Sequence, residues 1–542
     1  MDDGSSHGQR AEQFAVVAAP SADPEAAPRR GGNAKLHVPA GWGLAAILLV
    51  QALLSLRLVR ADTAFQDEAA YLWAGHMEWA HWLHGVSIPP FPSYFSGAPV
   101  IYPPLGALAD SLGGLAGARI LSLAFMLGST TLLWSTAERL FGRRAAFFAA
   151  ALFAILGPTL HLSAFATYDA MSIFFIGLAA WVVVRAGNRQ SATPWMIAAG
   201  VALALANAAA YSATLFDVVV VLLALLVALP ELGARLAASR CLLLLTVTAV
   251  LLGAGLLIGG STYVHGVDAT TLHRVPGGAS ALTVLSDAWS WTGVVVVVAI
   301  CGIVLCWLRR EGNALIWLLA VMASSALLGP LEQARLHTAD SLNKHVGLGA
   351  WFAAIAAGYA VDKLIAAAPA GRTRTVTTCA FIVALVFPVS LGAGQSLRFS
   401  TDWPDSTSFI AIIRPLVARG SGPVLVEDPS IAEYYLHVQN QWTRWSSTRN
   451  IALPSGVSTG GPSRSAGIVG PGNAGTFGSR IASGYFSLIA LNFADTTVLD
   501  HQIRADINSS GRYATGDAIA VVPYGPEPGT DVFGTYIIWR LK

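Results

Sequence analysis

Eleven apolar runs of about 17 to 22 residues, each long enough to cross a ~30 Å hydrocarbon layer as a helix, recur in this chain before residue 397. They lie near 40–59, 119–137, 145–163, 170–185, 195–212, 214–230, 241–262, 292–308, 314–331, 345–361 and 376–395. In lipid every backbone polar group must be satisfied within its own segment or a closed barrel, and runs of this length do so as helices. A polytopic α-helical membrane protein follows, with about 11 transmembrane helices. Composition agrees: 54% of the 542 residues are hydrophobic and 12% charged, against about 25% charged in soluble domains. Net charge is +2 and no long basic run is present, so no nucleic-acid partner is expected.

Sidedness comes from the loops. The turns after even-numbered runs read RLFGRRA, RAGNRQ, RLAASR, LRREGN and AGRTRT, whereas those after odd-numbered runs hold most of the loop carboxylates. By the positive-inside rule the N-terminus is cytoplasmic, and an odd number of spans puts the C-terminus outside. Arg57 and Arg60, at the outer end of the first run, go against this pattern. The expected location is a bacterial plasma (inner) membrane. Residues 1–38 are rich in Ala, Pro, Ser, Gly and charge without apolar periodicity, which predicts a disordered cytoplasmic tail. The first run shows no clear cleavage pattern and reads as an uncleaved signal anchor. Residues 39–396 form the membrane domain. Cys241, Cys301, Cys306 and Cys379 all fall in apolar runs and read as packing residues.

From 397 to 542 the texture changes to Gly, Pro, Ser and Asp with short alternating segments. GPVLVED, GYFSLIAL, AIAVVPYG and YIIWRLK read as strands, with helices over PSIAEYYLHV and DTTVLDHQIRADI, the latter capped by Asp495. An extracytoplasmic α/β domain is expected. The Gly/Ser/Pro stretch 454–480 reads as a flexible insertion or, alternatively, a flap over an acceptor site.

Four outer segments hold the suggestive chemistry: FQDEAAYLW, YPPLGALAD, ATYDAM and LEQARLHTADSLNKHVGLG. Asp67 and Glu68 open a helix carrying Trp73, Trp79 and Trp82, a composition suited to the membrane interface. Their plain alternative is helix capping. Asp169 sits within a turn of an apolar run, where a carboxylate wants a partner or water; it too could cap a helix, with Thr167 as competitor. Arg335, His337, Lys344 and His345 precede or open the tenth run, at the depth of a lipid phosphate, although Glu332 and Asp340 among them also suit a solvated loop. Tyr71 and Tyr102 are candidates for lining the same face. His76, His81 and His84 lack the spacing of a metal site, so no metal ligand is assigned; a divalent-metal requirement stays open.

In order, spacing and sidedness these segments resemble the GT-C glycosyltransferases, in the branch of the protein O-mannosyltransferases and the lipid A aminoarabinose transferase. QDEAAYLWAG is similar to the Asp-Glu pair that opens that family's first outer loop, TYDAM to its second acidic site, YPPL to the segment after the first loop, and ARLHTADSLNKHVGLG to a later basic loop. The resemblance covers about residues 40–360 and implies a GT-C-like fold. It implies transfer of a sugar, with inversion, from a polyprenyl-phosphate-linked donor to a hydroxyl on an acceptor glycan, lipid or protein outside the membrane. Asp67 would be the base, Glu68 would orient acceptor or helix, and Asp169, Tyr71 and Tyr102 would position sugar or acceptor. Arg335, His337, Lys344 and His345 would face the lipid phosphate. A C-terminal α/β domain is not general to the family. Two other readings compete: a transporter or flippase of lipid-linked precursors, which would place charges mid-span in repeated halves, and a membrane scaffold.

Overall fold

A computed structural model of the chain describes residues 41–187, 189–274, 276–339, 341–403, 405–438, 441–448, 474–493, 496–520 and 535–542. The apolar runs are helical. In chain order the helices are α1 (Trp42–Leu56), α2 (Gln66–His84), α3 (Tyr102–Phe141), α4 (Arg143–Ala154), α5 (Gly157–Leu162), α6 (Tyr168–Ala186) and α7 (Thr193–Ala209). Then follow α8 (Asp217–Val267), α9 (Ala281–Leu308), α10 (Asn313–Arg335), α11 (Leu342–Ala367), α12 (Arg372–Ala384) and α13 (Val386–Phe399).

Seven helical segments among the described residues are long and apolar enough to cross a membrane, where the runs predict eleven. The difference has local causes. The runs at 40–59 and 195–212 form helices of 15 and 17 residues. The run at 145–163 breaks between α4 and α5, and the two runs at 214–230 and 241–262 join through α8. There Gly233, three residues after Pro230, kinks the helix with a φ of 78°, a conformation that favours glycine.

α11 runs through the centre of the bundle, with Trp351 and Tyr359 buried. Small residues let its neighbours approach: a Cβ on Gly358 would stand 2.3 Å from the Ala145 carbonyl oxygen of α4. Polar side chains tie helices where no water can: Gln51 donates to Ser163 Oγ (3.2 Å) and accepts from Thr130 Oγ1 (2.8 Å).

Beyond the bundle lie α14 (Thr407–Arg419), β1 (Val424–Val426), α15 (Ser430–Tyr435), β2 (Trp445–Ser447), α16 (Ala474–Ser483), β3 (Leu488–Leu491), α17 (Thr497–Ser510), β4 (Tyr513–Ala520) and β5 (Thr535–Leu541). The strands form one sheet in the order β2-β1-β3-β5-β4. β2, β1 and β3 are parallel, with Val424 opposite both Trp445 and Leu488; β5 runs antiparallel between β3 and β4. Alternation sorts the side chains. Val424, Val426, Leu488 and Ala490 pack with Phe409, Ile410 and Ile413 of α14, whereas Leu425, Ile489 and Leu491 pack with α16 and α17 through Phe477, Ile481, Leu499, Ile503 and Ile507. The expected strands and helices of the C-terminal region are present where described; β2, α14 and α16 are additional. Asp495 and residues 1–40, 451–473 and 521–534 lie outside the described residues.

α15 seats the sheet region on α2. Tyr434 Oη donates to Asp110 Oδ1 of α3 (2.7 Å), Trp73 Nε1 of α2 to the Val438 carbonyl (3.2 Å), and the Ala64 N–H to Tyr435 Oη (2.7 Å). Further along, Trp403 Nε1 donates to the Thr63 carbonyl (3.0 Å) and Trp442 Nε1 to the Ser87 carbonyl (2.9 Å). The sheet region therefore shares one end of the molecule with α2. It also alters the expected setting of that helix: Trp73 is anchored to protein rather than to lipid headgroups, and of the three Trp side chains only Trp82 is exposed.

Candidate active site

The site begins at the first turn of α2. Phe65 holds an extended backbone (φ −67°, ψ 157°) ahead of the helix, and its N–H donates to Glu68 Oε2 at 3.0 Å. Glu68, fully buried, accepts three more bonds: from the Ala166 N–H to Oε1 (2.8 Å), from Arg119 Nε to Oε1 (2.8 Å) and from Arg119 Nη2 to Oε2 (2.7 Å). Arg119 spends its remaining donors on the carbonyls of Val59 (2.9 Å), Asp62 (3.1 Å) and Thr63 (3.2 Å). The bidentate pair and its carbonyl collar clamp the segment between α1 and α2 to the start of α6. Such a buried charge pair persists when every lone pair and proton is used. Glu68 thus holds the helix in place, and its oxygens are committed to protein donors.

Asp67, one residue earlier, points elsewhere. It forms a buried ion pair with Lys344, which lies 277 residues away in the first turn of α11. The Lys344 ammonium also stands 5.7 Å from the centre of the Phe165 ring. Asp169, buried in the first turn of α6, accepts from Thr167 Oγ1 (2.9 Å) and is within electrostatic range of both Lys344 and Asp67. One helical turn beyond Asp67, Tyr71 Oη donates to Tyr168 Oη (3.1 Å), and its ring packs on Tyr168 and Phe95 at 4.7 and 4.9 Å. Tyr102, fully buried, lies within electrostatic range of Glu68, Asp169 and Asp110.

The structure therefore gathers Asp67, Asp169 and Lys344 together, with Tyr71 one helical turn along α2 from Asp67. The other predicted cations bond to other partners, although His345 lies within electrostatic range of Lys344. Arg335 is exposed and forms a two-bond pair with Glu332 on its own helix (2.9 and 2.6 Å). His337 has a left-handed backbone (φ 51°), and its Nδ1 meets the Ala279 carbonyl at 3.1 Å. His345 hydrogen-bonds with Gln333.

Two groups escaped the sequence reading. Arg119 opens an apolar run and looks like a helix-end charge, yet it sits on the same end of the bundle as the acidic pair. An arginine on the side that the basic loops avoid is the signal that could have revealed it. Asp110 accepts from Tyr434 and meets His76 Nε2 at 2.7 Å; neither partner is near it in sequence. Among the described residues no group of three or more His, Cys, Asp or Glu side chains is placed to hold a metal ion.

The family described as dolichyl-phosphate-mannose-protein mannosyltransferase matches residues 107–258, a stretch that includes Arg119 and Asp169. Among solved structures, ArnT from Cupriavidus metallidurans bound to undecaprenyl phosphate superposes with a TM-score of 0.57 at 13% identity, covering 92% of this chain and 98% of that one. The chain has the GT-C glycosyltransferase fold. The Archaeoglobus fulgidus oligosaccharyltransferase in its apo form shares it, with a TM-score of 0.51 at 12% identity over 92% of this chain and 76% of that one. No curated protein matches in sequence. The likeness to these structures shows the fold, and the family match over residues 107–258 points to membrane glycosyltransferase chemistry.

Proposed function

We propose that this GT-C enzyme transfers a sugar, with inversion, from a polyprenyl-phosphate-linked donor to an acceptor hydroxyl on the extracytoplasmic face of a bacterial plasma membrane. The observation that carries the reading is the meeting of Asp67 and Lys344 in a buried pocket of charge at the end of the bundle. Inverting transfer needs a group that takes a proton and a cation that steadies a leaving phosphate. In the proposed step the acceptor oxygen attacks the anomeric carbon and its proton passes to Asp67. The bond from that carbon to the phosphate oxygen breaks, and the electron pair leaves on the polyprenyl phosphate beside Lys344. A unit cation about 4 Å from a phosphate charge contributes on the order of 4 kcal/mol at an effective dielectric near 20.

Asp169, beside the Asp67–Lys344 pair, and Tyr71, one helical turn along α2, would position sugar or acceptor, with Tyr102 behind them. Glu68 acts through the helix, not on the substrate. In the arrangement described here Lys344 is the cation nearest the base, and Arg335, His337 and His345 would contribute only by approaching a longer lipid path. The acceptor is a glycan, lipid or protein hydroxyl. The test is transfer of radiolabelled sugar from polyprenyl-phosphate donor in membranes: Asp67→Asn is expected to abolish transfer in a protein that still inserts and folds, and undiminished transfer would overturn the assignment.

A further inference from the structure

Asp67 and Lys344 are paired with each other, although the reaction needs each of them for a different partner. Lys344 has to face a phosphate, and Asp67 has to take a proton. A carboxylate held against an ammonium is a weaker proton acceptor than one released from it, because the opposite charge stabilises its ionised form. The paired state is therefore a masked one.

We propose that the donor phosphate unmasks the base: on binding, it draws Lys344 away from Asp67. This rests on the assignment of Asp67 as base and Lys344 as phosphate cation.

The charges around the pair favour such an exchange. Arg119 is saturated by Glu68 and three carbonyls, so it does not compete for the arriving phosphate. Asp169, on α6, lies within range of both members of the pair. While Lys344 is present it screens the two carboxylates from one another. Once the ammonium turns to the phosphate, Asp67 faces a like charge, which raises a carboxylate's affinity for a proton. His161 of α5 and His345 of α11 lie within electrostatic range of Lys344, and Phe165 gives the ammonium an aromatic face. A polyprenyl phosphate product carries more negative charge than the diester donor, so it holds Lys344 more firmly. Donor before acceptor, and slow release of lipid phosphate, follow as the kinetic order.

The experiment is binding of undecaprenyl phosphate to the full-length protein in nanodiscs, alongside sugar transfer. If Asp67 competes with the phosphate for Lys344, Asp67→Asn binds the lipid phosphate about tenfold more tightly than the parent. Lys344→Met binds it at least tenfold more weakly, and the double variant, which removes both members of the pair, binds as weakly as Lys344→Met. Equal or weaker binding by Asp67→Asn overturns the exchange, as does a double variant that binds like Asp67→Asn. Loss of transfer in Asp67→Asn is read separately, so an exchange that fails leaves the base assignment standing.

Discussion

Glu68 and Asp67 are adjacent carboxylates with opposite uses, and the difference is set by what surrounds each. Glu68 is ringed by backbone N–H groups and by Arg119, so removing either member of the pair leaves a buried charge without its partner, at a cost of about 3–5 kcal/mol. Arg119→Met and Glu68→Gln are each expected to lower the melting temperature of the purified protein substantially, and the double variant to recover much of the loss. A double variant no better than the singles would show that the carbonyl collar, rather than the ion pair, holds the segment. In the sequence, QDE shows two acids side by side and nothing that separates them; Arg119, which does, lies 51 residues on. Asp67, Asp169 and Lys344 were legible because loops that share one side of a membrane can meet. His345 and Arg335 share that side too, and only rotation about the helix axis sends them to other neighbours.

Among the elements, α2 is the one whose placement decides where Asp67 stands. It crosses α3 so closely at Gly75 that a Cβ there would lie 1.9 Å from the Pro103 carbonyl oxygen. Gly75→Ala must therefore push the two helices apart, and is expected to cut transfer at least tenfold, since small misplacements of reacting groups carry large rate costs; unchanged transfer would mean that α2 can shift without moving Asp67. Apolar periodicity identifies helices in this chain well, but it cannot show that α15 roofs α2, so the helix reads as an interfacial one. Strands β1, β3 and β5 were legible for the opposite reason, as short β-rich segments bounded by Gly and Pro leave little choice, whereas β2 was not. Near the carboxyl ends of β1 and β3 and the start of α17, Glu427 accepts from the Asn492 and Thr496 N–H groups (both 3.0 Å), and Asp500 lies buried beside it. Burial and the Glu427 charge push the Asp500 carboxyl up to about 9. Its folded value is above its unfolded one, so the folded state keeps a proton that the unfolded chain releases. Stability is fully present at low pH and is lost as pH climbs from about 4 towards 9. The melting-temperature advantage of Asp500→Asn over the parent is expected to grow across that range; a flat difference would show that the site does not titrate this way.

At the scale of the whole molecule, the sheet region grips the membrane bundle next to the reacting groups. Tyr434 reaches Asp110, which also meets His76 of α2, while Val438 and Tyr435 fix Trp73 and the segment before α2. Such long-range pairs, 324 residues apart for Tyr434 and Asp110, leave no trace in local pattern, which is why a C-terminal α/β region was legible as a fold but not as a support for the site. Among the described residues its hydrogen bonds fall on α2, α3 and the segments flanking α2, so loosening it should disturb Asp67 more than Lys344. Tyr434→Phe removes one buried hydrogen bond, worth about 1.5–3 kcal/mol when the partner is charged. The expected result is a severalfold lower kcat with undecaprenyl phosphate affinity unchanged. A variant that lost lipid affinity in proportion to kcat would instead place the sheet region on the donor side, and the roof over α2 would then be part of the lipid site rather than a brace for Asp67.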